Sequence, residues 1–249
     1  MITSTLRAAK WSLLSFRRNP AATFFTIIFP ILFLIVFASF SGDDDQNKVV
    51  PGLLGLSIVS ATFVNVAMSQ VRRRESGQLK RLRGTPLAPV NYNLGQGIAS
   101  LVIVAVMTVV VTGIGRLLFG VQFNLSSLGV FIPTIVLGSI AFTALGLAAT
   151  IIIPNDDAAP AITNAIVFPL YFISDVIFFT DENSSGFVSR LGDVFPVKPL
   201  VESLQPSYGP VVDSIAVPWA KWAVIAAWGV FGLIVASRFF LWVPQTERR

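Results

Sequence analysis

The sequence predicts an all-α membrane protein built on six transmembrane helices. Three observations point there. Hydrophobic residues make up 54% of the chain and charged residues only 12%, against roughly 25% charged in a soluble domain. Six windows are long and apolar enough to cross a bilayer, whose core needs about 20 such residues in a helix. Basic residues also gather in alternate connections between those windows. With mean hydropathy +0.75, the main solvent of this chain is lipid.

Residues 1–20 come first. At 100° per residue, Ile2, Leu6, Ala9, Leu13 and Phe16 share one face, with Arg7, Lys10, Arg17 and Arg18 on the neighbouring one. The pattern reads as an amphipathic helix lying in the membrane interface, with Trp11 at headgroup level. A plain basic lead-in to a membrane helix is the simpler alternative. The apolar stretch that follows is too long for a cleavable signal and carries no small-x-small cleavage site. Asn19-Pro20 breaks the chain before it.

The six windows are 21–40, 49–69, 97–119, 128–152, 158–179 and 219–242. The first, second and fourth contain no charged residue, and Arg116 lies near the end of the third, where it can snorkel. Pro30 and Pro169 are expected to interrupt the first and fifth helices. Short polar turns are expected at 41–48, at 120–127 and around 154–157. In the last of these, Asp156 or Asp157 can cap the fifth helix, whose first turn accepts Pro160.

Residues 180–218 hold five prolines and mixed charge, yet Phe187, Val188, Leu191 and Phe195 keep a helix-like spacing. Short helices packed at, or dipping into, the outer leaflet fit this pattern. No internal repeat divides the chain, so a single membrane domain over 1–249 is the economical organisation.

Orientation follows from the lysines and arginines. With the N-terminus cytoplasmic, Arg7, Lys10, Arg17, Arg18, Arg72, Arg73, Arg74, Lys80, Arg81, Arg83, Arg238, Arg248 and Arg249 fall inside. Only Lys48, Arg116, Arg190, Lys198 and Lys221 fall outside. Both termini are then cytoplasmic, consistent with an even number of spans. The basic run is thereby set against the inner membrane face, and nucleic acid is not its partner.

Several chemistries are missing. There is no histidine and no cysteine, which removes disulfides, the usual zinc sites and every His or Cys catalytic scheme. No GxxxxGK[ST] phosphate loop occurs; the stretch from Gly77 to Gly84-Thr85 has the wrong spacing and no lysine after Gly84. No catalytic residue and no metal site are assigned. Asp43, Asp44, Asp45, Asp156, Asp157, Asp181 and Glu182 sit in polar turns and read as solvating or capping groups. Proton- and ion-driven carriers bury an ionisable group in mid-membrane. Asp175, the nearest here, is about 26 Å along the fifth helix, close to the outer surface, either an interfacial acid or a gate or substrate residue.

The polar residues that the spans do hold are neutral. Thr62, Asn65 and Ser69 recur at i, i+3 and i+7, while Asn164 and Ser174 lie in the fifth span. With Asp175 they form a candidate path for a largely apolar cargo, the alternative being interhelical glue.

The stretch RRRESGQLKRLRGTPL at 72–87, between the second and third of six spans, resembles the cytoplasmic loop of ABC-2 type transporter permeases. The matching residues are Glu75, Gly77, Leu79, Leu82 and Thr85-Pro86. FPLYFISDVIFFTDENSSGFVSRLGDVFPVKPLVESL, from Phe168 onward, is similar to that family's fifth helix followed by an outer re-entrant hairpin turned at Phe195-Pro196. The likeness covers essentially the whole sequence and looks nearest to the drug-efflux, daunorubicin-type branch. The sugar- and lipid-exporting branches share the same skeleton. Asp175 stands where the family often has Gly, and Thr180 where it often has Pro.

The resemblance implies a permease subunit that exports an amphipathic or hydrophobic substrate (a drug, an antibiotic or a lipid-like molecule) across a bacterial cell membrane. Two permease chains, identical or related, would pair, each on a separate ABC-type ATP-binding subunit. ATP-Mg would be bound by those subunits and no cofactor by this chain. Residues 70–93 would form the cytoplasmic coupling loop, with Glu75, Gly77, Leu79, Leu82 and Pro86 docking on the ATPase and 180–218 forming the outer hairpin. Leu79 and Leu82 would enter an apolar cleft while the arginines steer the contact, and Pro86 would stop the coupling helix. Anionic lipid would also attract these arginines. A stand-alone channel or ion-coupled carrier is the alternative function. An intramembrane enzyme using Asp175, Asp181 and Glu182 lacks the supporting groups.

Overall fold

The computed structural model describes residues 2–40, 43–83, 89–174, 187–210 and 216–239. Among these the chain is all-α. Its ten helices are α1 (Ile2–Arg17), α2 (residues 20–40), α3 (residues 43–75), α4 (Gln78–Arg83), α5 (Pro89–Phe119), α6 (Leu128–Ala149), α7 (Ala159–Ile173), α8 (Phe187–Val194), α9 (Val197–Leu204) and α10 (Trp219–Phe239). The six predicted windows fall on α2, α3, α5, α6, α7 and α10. Within them Asn47–Glu75, Tyr92–Phe119, Leu125–Ala149 and Trp219–Phe239 are each long and apolar enough to span a bilayer, whereas Thr26–Phe40 and Ala159–Ile173 are shorter.

α3 is the axis of the bundle: 83% of its most apolar window is buried, against 22% for α10. Val49, Val50, Leu54, Ile58, Ala61, Ala67 and Val71 all lie in the core. α10 and α5 turn Val230, Phe231, Ile234, Val102, Val106 and Val109 outward, as helices in contact with lipid do.

The second predicted window is too short at both ends. Residues 43–48 are not an outer turn but the start of α3. Asp43, Asp44 and Asp45 stand at the positive end of its macrodipole and three arginines in its last turn at the negative end, so both polar flanks suit helix. Of the two prolines expected to interrupt their helices, Pro30 does coincide with an interruption and Pro169 does not. Pro30 follows a π turn, Phe24–Ile28, whose wider ladder accommodates it, and Pro169 lies inside α7. A second π turn, Ser60–Val64, interrupts α3. α7 ends at Ile173 with Ser174 as its C-cap; Asp175 and the rest of the predicted fifth window lie outside the described residues.

α8 and α9 form a hairpin between α7 and α10, turned at Phe195 and Pro196. α9 is sunk among the long helices: Val197, Leu200, Val201 and Leu204 are all buried. Glycines make the room. A Cβ on Gly138 of α6 would lie 2.6 Å from Leu200 Cδ1, and one on Gly55 of α3 would collide with Val201. The buried Lys198 ammonium is satisfied by Asp193 at 2.7 Å, and Glu202 bridges to Lys221 of α10 at 2.9 Å. Beside the hairpin, Tyr208 packs edge-on to Phe123 and Phe131 and its hydroxyl meets Thr112 at 2.7 Å. Burial raises the Tyr208 pKa well above the ordinary phenol range, against the opposing pull of that Thr112 bond.

α1 packs across the start of α5. Gly95 lets the two backbones approach, since a Cβ there would lie 2.6 Å from Ala8 Cβ. Ala9 and Ser12 are buried on this contact, whereas Leu6 is 54% exposed and Trp11 66% exposed. The apolar face predicted for α1 is therefore split: Ala9 faces protein, and Leu6 faces outward.

Candidate functional site

α3 ends in Arg72, Arg73, Arg74 and Glu75. Successive helical residues are 100° apart, so three adjacent arginines must face three directions. Each has different partners.

Arg74 is 1% exposed. Its Nε donates to Glu75 Oε1 at 2.9 Å, Nη1 to the Thr150 carbonyl at 2.9 Å, and Nη2 to the Ile153 and Pro154 carbonyls at 2.7 and 3.1 Å. The last carbonyls of a helix lack intrahelical donors. Arg74 supplies them for the turn between α6 and α7, at the negative end of the α6 dipole. A charge this buried is tolerable because its donors are so well occupied.

Arg73 faces α1 and α5. Nη1 donates to Tyr92 Oη at 2.7 Å and to Gln96 Oε1 at 3.2 Å, and Nη2 approaches Ser12 Oγ at 3.4 Å. The Tyr92 hydroxyl donates to Gln70 Oε1 at 2.5 Å, Ser12 donates to Gln96 Oε1 at 3.0 Å, and Gln96 Nε2 donates to Ser69 Oγ at 2.8 Å. One polar network thus ties α1, α3 and α5 together. Arg72, half-exposed, pairs through Nε with Asp156 Oδ2 at 3.3 Å. The expected aspartate cap of α7 is not formed: its N-cap is Ala158, with no side-chain cap bond, Asn155 Oδ1 accepts from the Ala158 N–H at 2.8 Å in the preceding turn, and Asp156 pairs with the arginine.

Beyond this hub the chain reverses at Gly77, whose φ of +68° falls in the left-handed region that glycine enters at least cost. Its N–H bonds the Arg74 carbonyl at 3.0 Å, closing α3 and turning the chain into α4. Glu75 lies against Arg74, partly buried. Leu79 is 1% exposed, so it packs against its own chain instead of projecting from it. Gln78 and Arg81 are exposed, with Arg81 Nη2 on the Ser76 carbonyl at 3.2 Å. The Leu82 side chain and all of Pro86 lie outside the described residues.

The described candidate path residues lie on α3 and at α7. Thr62 is buried, its hydroxyl on the Ile58 carbonyl at 2.6 Å. Asn65 is half-buried, and Ser69 is held by Gln96 and by the Val66 carbonyl. Ser174 bonds the Leu170 carbonyl at 2.5 Å, and Asn164 is exposed on α7. Asp175 lies outside the described residues.

Sequence reasoning credited Arg72, Arg73 and Arg74 with charge alone and passed over Tyr92, Gln96 and Ser12. A signal existed. Three consecutive arginines at the end of a helix cannot all face solvent when that helix is the axis of a bundle.

A family model described as ABC-2 type transporter matches residues 3–208. That stretch takes in every helix described above except α10. No curated protein matches the chain.

Proposed function

Since the chain belongs to the ABC-2 type transporter family, we infer that it is the permease half of an ATP-driven exporter for an amphipathic or hydrophobic substrate. Membership makes the chain a membrane permease of an ABC transporter, whose working partner is an ABC-type ATP-binding subunit. The finer reading rests above all on the arginine hub. α4 follows α3 after one glycine turn, and the last turn of α3 grips α1 and α5 through Arg73 and the α6–α7 turn through Arg74. A push on α4 reaches five helices at once. That is the mechanical property a coupling helix needs.

The ATPase meets the face carrying Gln78 and Arg81, together with Glu75, Leu82 and Pro86, while Gly77 and Leu79 set the angle at which α4 is offered. ATP-Mg is bound by two ATP-binding subunits, not by this chain. The hub side of the bundle and both termini are cytoplasmic, in a bacterial cell membrane crossed six times. Asn164, a polar side chain exposed on a mostly apolar α7, is costly against lipid alone. It favours a second permease chain, identical or related, across which Thr62, Asn65, Ser69, Asn164, Ser174 and Asp175 serve a neutral cargo.

The test is co-expression with an ATP-binding subunit, followed by nucleotide-dependent uptake of an amphipathic dye into inside-out vesicles. Charge reversal at the exposed Arg81 (Arg81→Glu) should break co-purification while leaving the permease folded. Dye movement through liposomes holding this chain alone, without nucleotide, would overturn the reading in favour of a channel or carrier.

A further inference from the structure

A cleft of about 440 Å³ opens where α1 turns into α2, lined by neither Arg73 nor Arg74. Its polar lining is Arg18, Asn19, Ser15 and Arg72, and its apolar lining includes Trp11 and Leu14. The two guanidiniums come from elements far apart in sequence and have donors to spare. Arg18 is exposed and makes no ion pair among the described residues. Among the described residues Arg72 is engaged through Nε, with Asp156.

An apolar track begins directly beside this cleft. Phe24, Ile28, Leu32 and Val36, spaced by four residues along α2, are 40%, 44%, 48% and 51% exposed. A site with one unpaired guanidinium, Arg18, a second, Arg72, whose Nη groups are left over from its pair with Asp156, neutral donors and an indole in its lining suits a phosphate. A stripe of apolar side chains leading away from it suits an acyl chain. Trp11, exposed at 66%, is of the type that sits at headgroup level.

We propose that this cleft is a binding site for one anionic phospholipid, its phosphate between Arg18 and Arg72 and an acyl chain along Phe24, Ile28, Leu32 and Val36. The continuous apolar track favours a lipid over a free phosphate ion. The inference needs only a chain inserted in a membrane, which the family supplies, and does not depend on the direction of transport or on ATPase docking. Asp156 competes with the lipid phosphate for Arg72, so lipid occupancy and the Arg72–Asp156 pair oppose one another.

Native mass spectrometry of the full chain tests this after reconstitution in phosphatidylcholine containing a minor fraction of phosphatidylglycerol. Each of Arg18→Gln and Arg72→Gln should lower retained phosphatidylglycerol about fivefold, and the pair on the order of thirtyfold. Both side chains are exposed, so the fold should survive the changes. Asp156→Asn should raise retention, and Arg238→Gln, at the end of α10 and outside the cleft, should leave it unchanged. Unchanged retention in the double variant would overturn the proposal. So would an equal loss in Arg238→Gln, which would mark diffuse charge attraction. Equal retention of phosphatidylcholine, or displacement by inorganic phosphate, would likewise sink it, the latter by marking a free-anion site.

Discussion

Arg74 Nη1 and the carbonyl oxygen of Thr150 meet at 2.9 Å although 76 positions separate them in sequence. Through this bond the end of α3 becomes the C-terminal cap of α6. Arg74→Ala would leave three carbonyls and Glu75 without their donor, a loss of about 3–5 kcal/mol for breaking a buried charged cluster. A large fall in unfolding temperature in detergent is expected. Arg74→Lys keeps the charge but cannot fork to three carbonyls, so it should recover only part of the loss.

Tyr92→Phe removes one hydroxyl from the second arm of the hub. Gln70 Oε1 loses its donor, and Gln70 Nε2 is already without a partner among the described residues. The cost should be about 1–3 kcal/mol. If the network carries motion as well as stability, substrate-stimulated ATP hydrolysis in the assembled transporter should fall while ATPase co-purification persists. Unimpaired hydrolysis at the same thermal shift would restrict Tyr92 to stability.

Gly77→Ala places a Cβ in the left-handed region, where it costs about 1–2 kcal/mol. No atom lies within 4 Å of that Cβ, so the effect is backbone strain and not collision. Weakened ATPase association is expected from a re-aimed α4. Gly77→Asn should be milder, because asparagine tolerates this conformation better. Pull-down of the ATP-binding subunit reads both.

Gly232→Ala tests the wall of the bundle. A Cβ at this site would lie 2.8 Å from the backbone of Ala144 and Leu145, so α10 must move off α6. Overpacking of this kind costs about 1–3 kcal/mol. Alanine at Gly113, where a Cβ meets nothing within 4 Å, is the matched control and should not lower the unfolding temperature in detergent, alanine being the better helix former.

The helices were legible because length and hydropathy act locally. A run such as 49–69 leaves the chain little choice but helix in lipid. Its ends were harder, since polar residues at 43–48 and 70–75 look like loop until their charges are set against the helix dipole. Which surface buries a given leucine was not legible at all. Leu79 lies on an apolar face whether it meets an ATPase or its own chain, and only tertiary packing decides. The split of Arg72, Arg73 and Arg74 among three sets of partners depends likewise on where α1, α5 and the α6–α7 turn come to rest. Asp156 illustrates the same limit: local pattern made it a cap, and Arg72 claimed it instead.

The π turn at Ser60–Val64 has a bearing on how this gene can change length. Such a turn holds one residue more than the α ladder around it needs, and the flanking helix stays in line. Deleting a single residue elsewhere in α3 would swing everything downstream by 100° and tear Arg73 and Arg74 from their partners. Deleting Ala61 would shorten the ladder to a regular one and leave both ends of the rod facing as they do. In this most buried helix, that turn is where a one-codon loss can be absorbed.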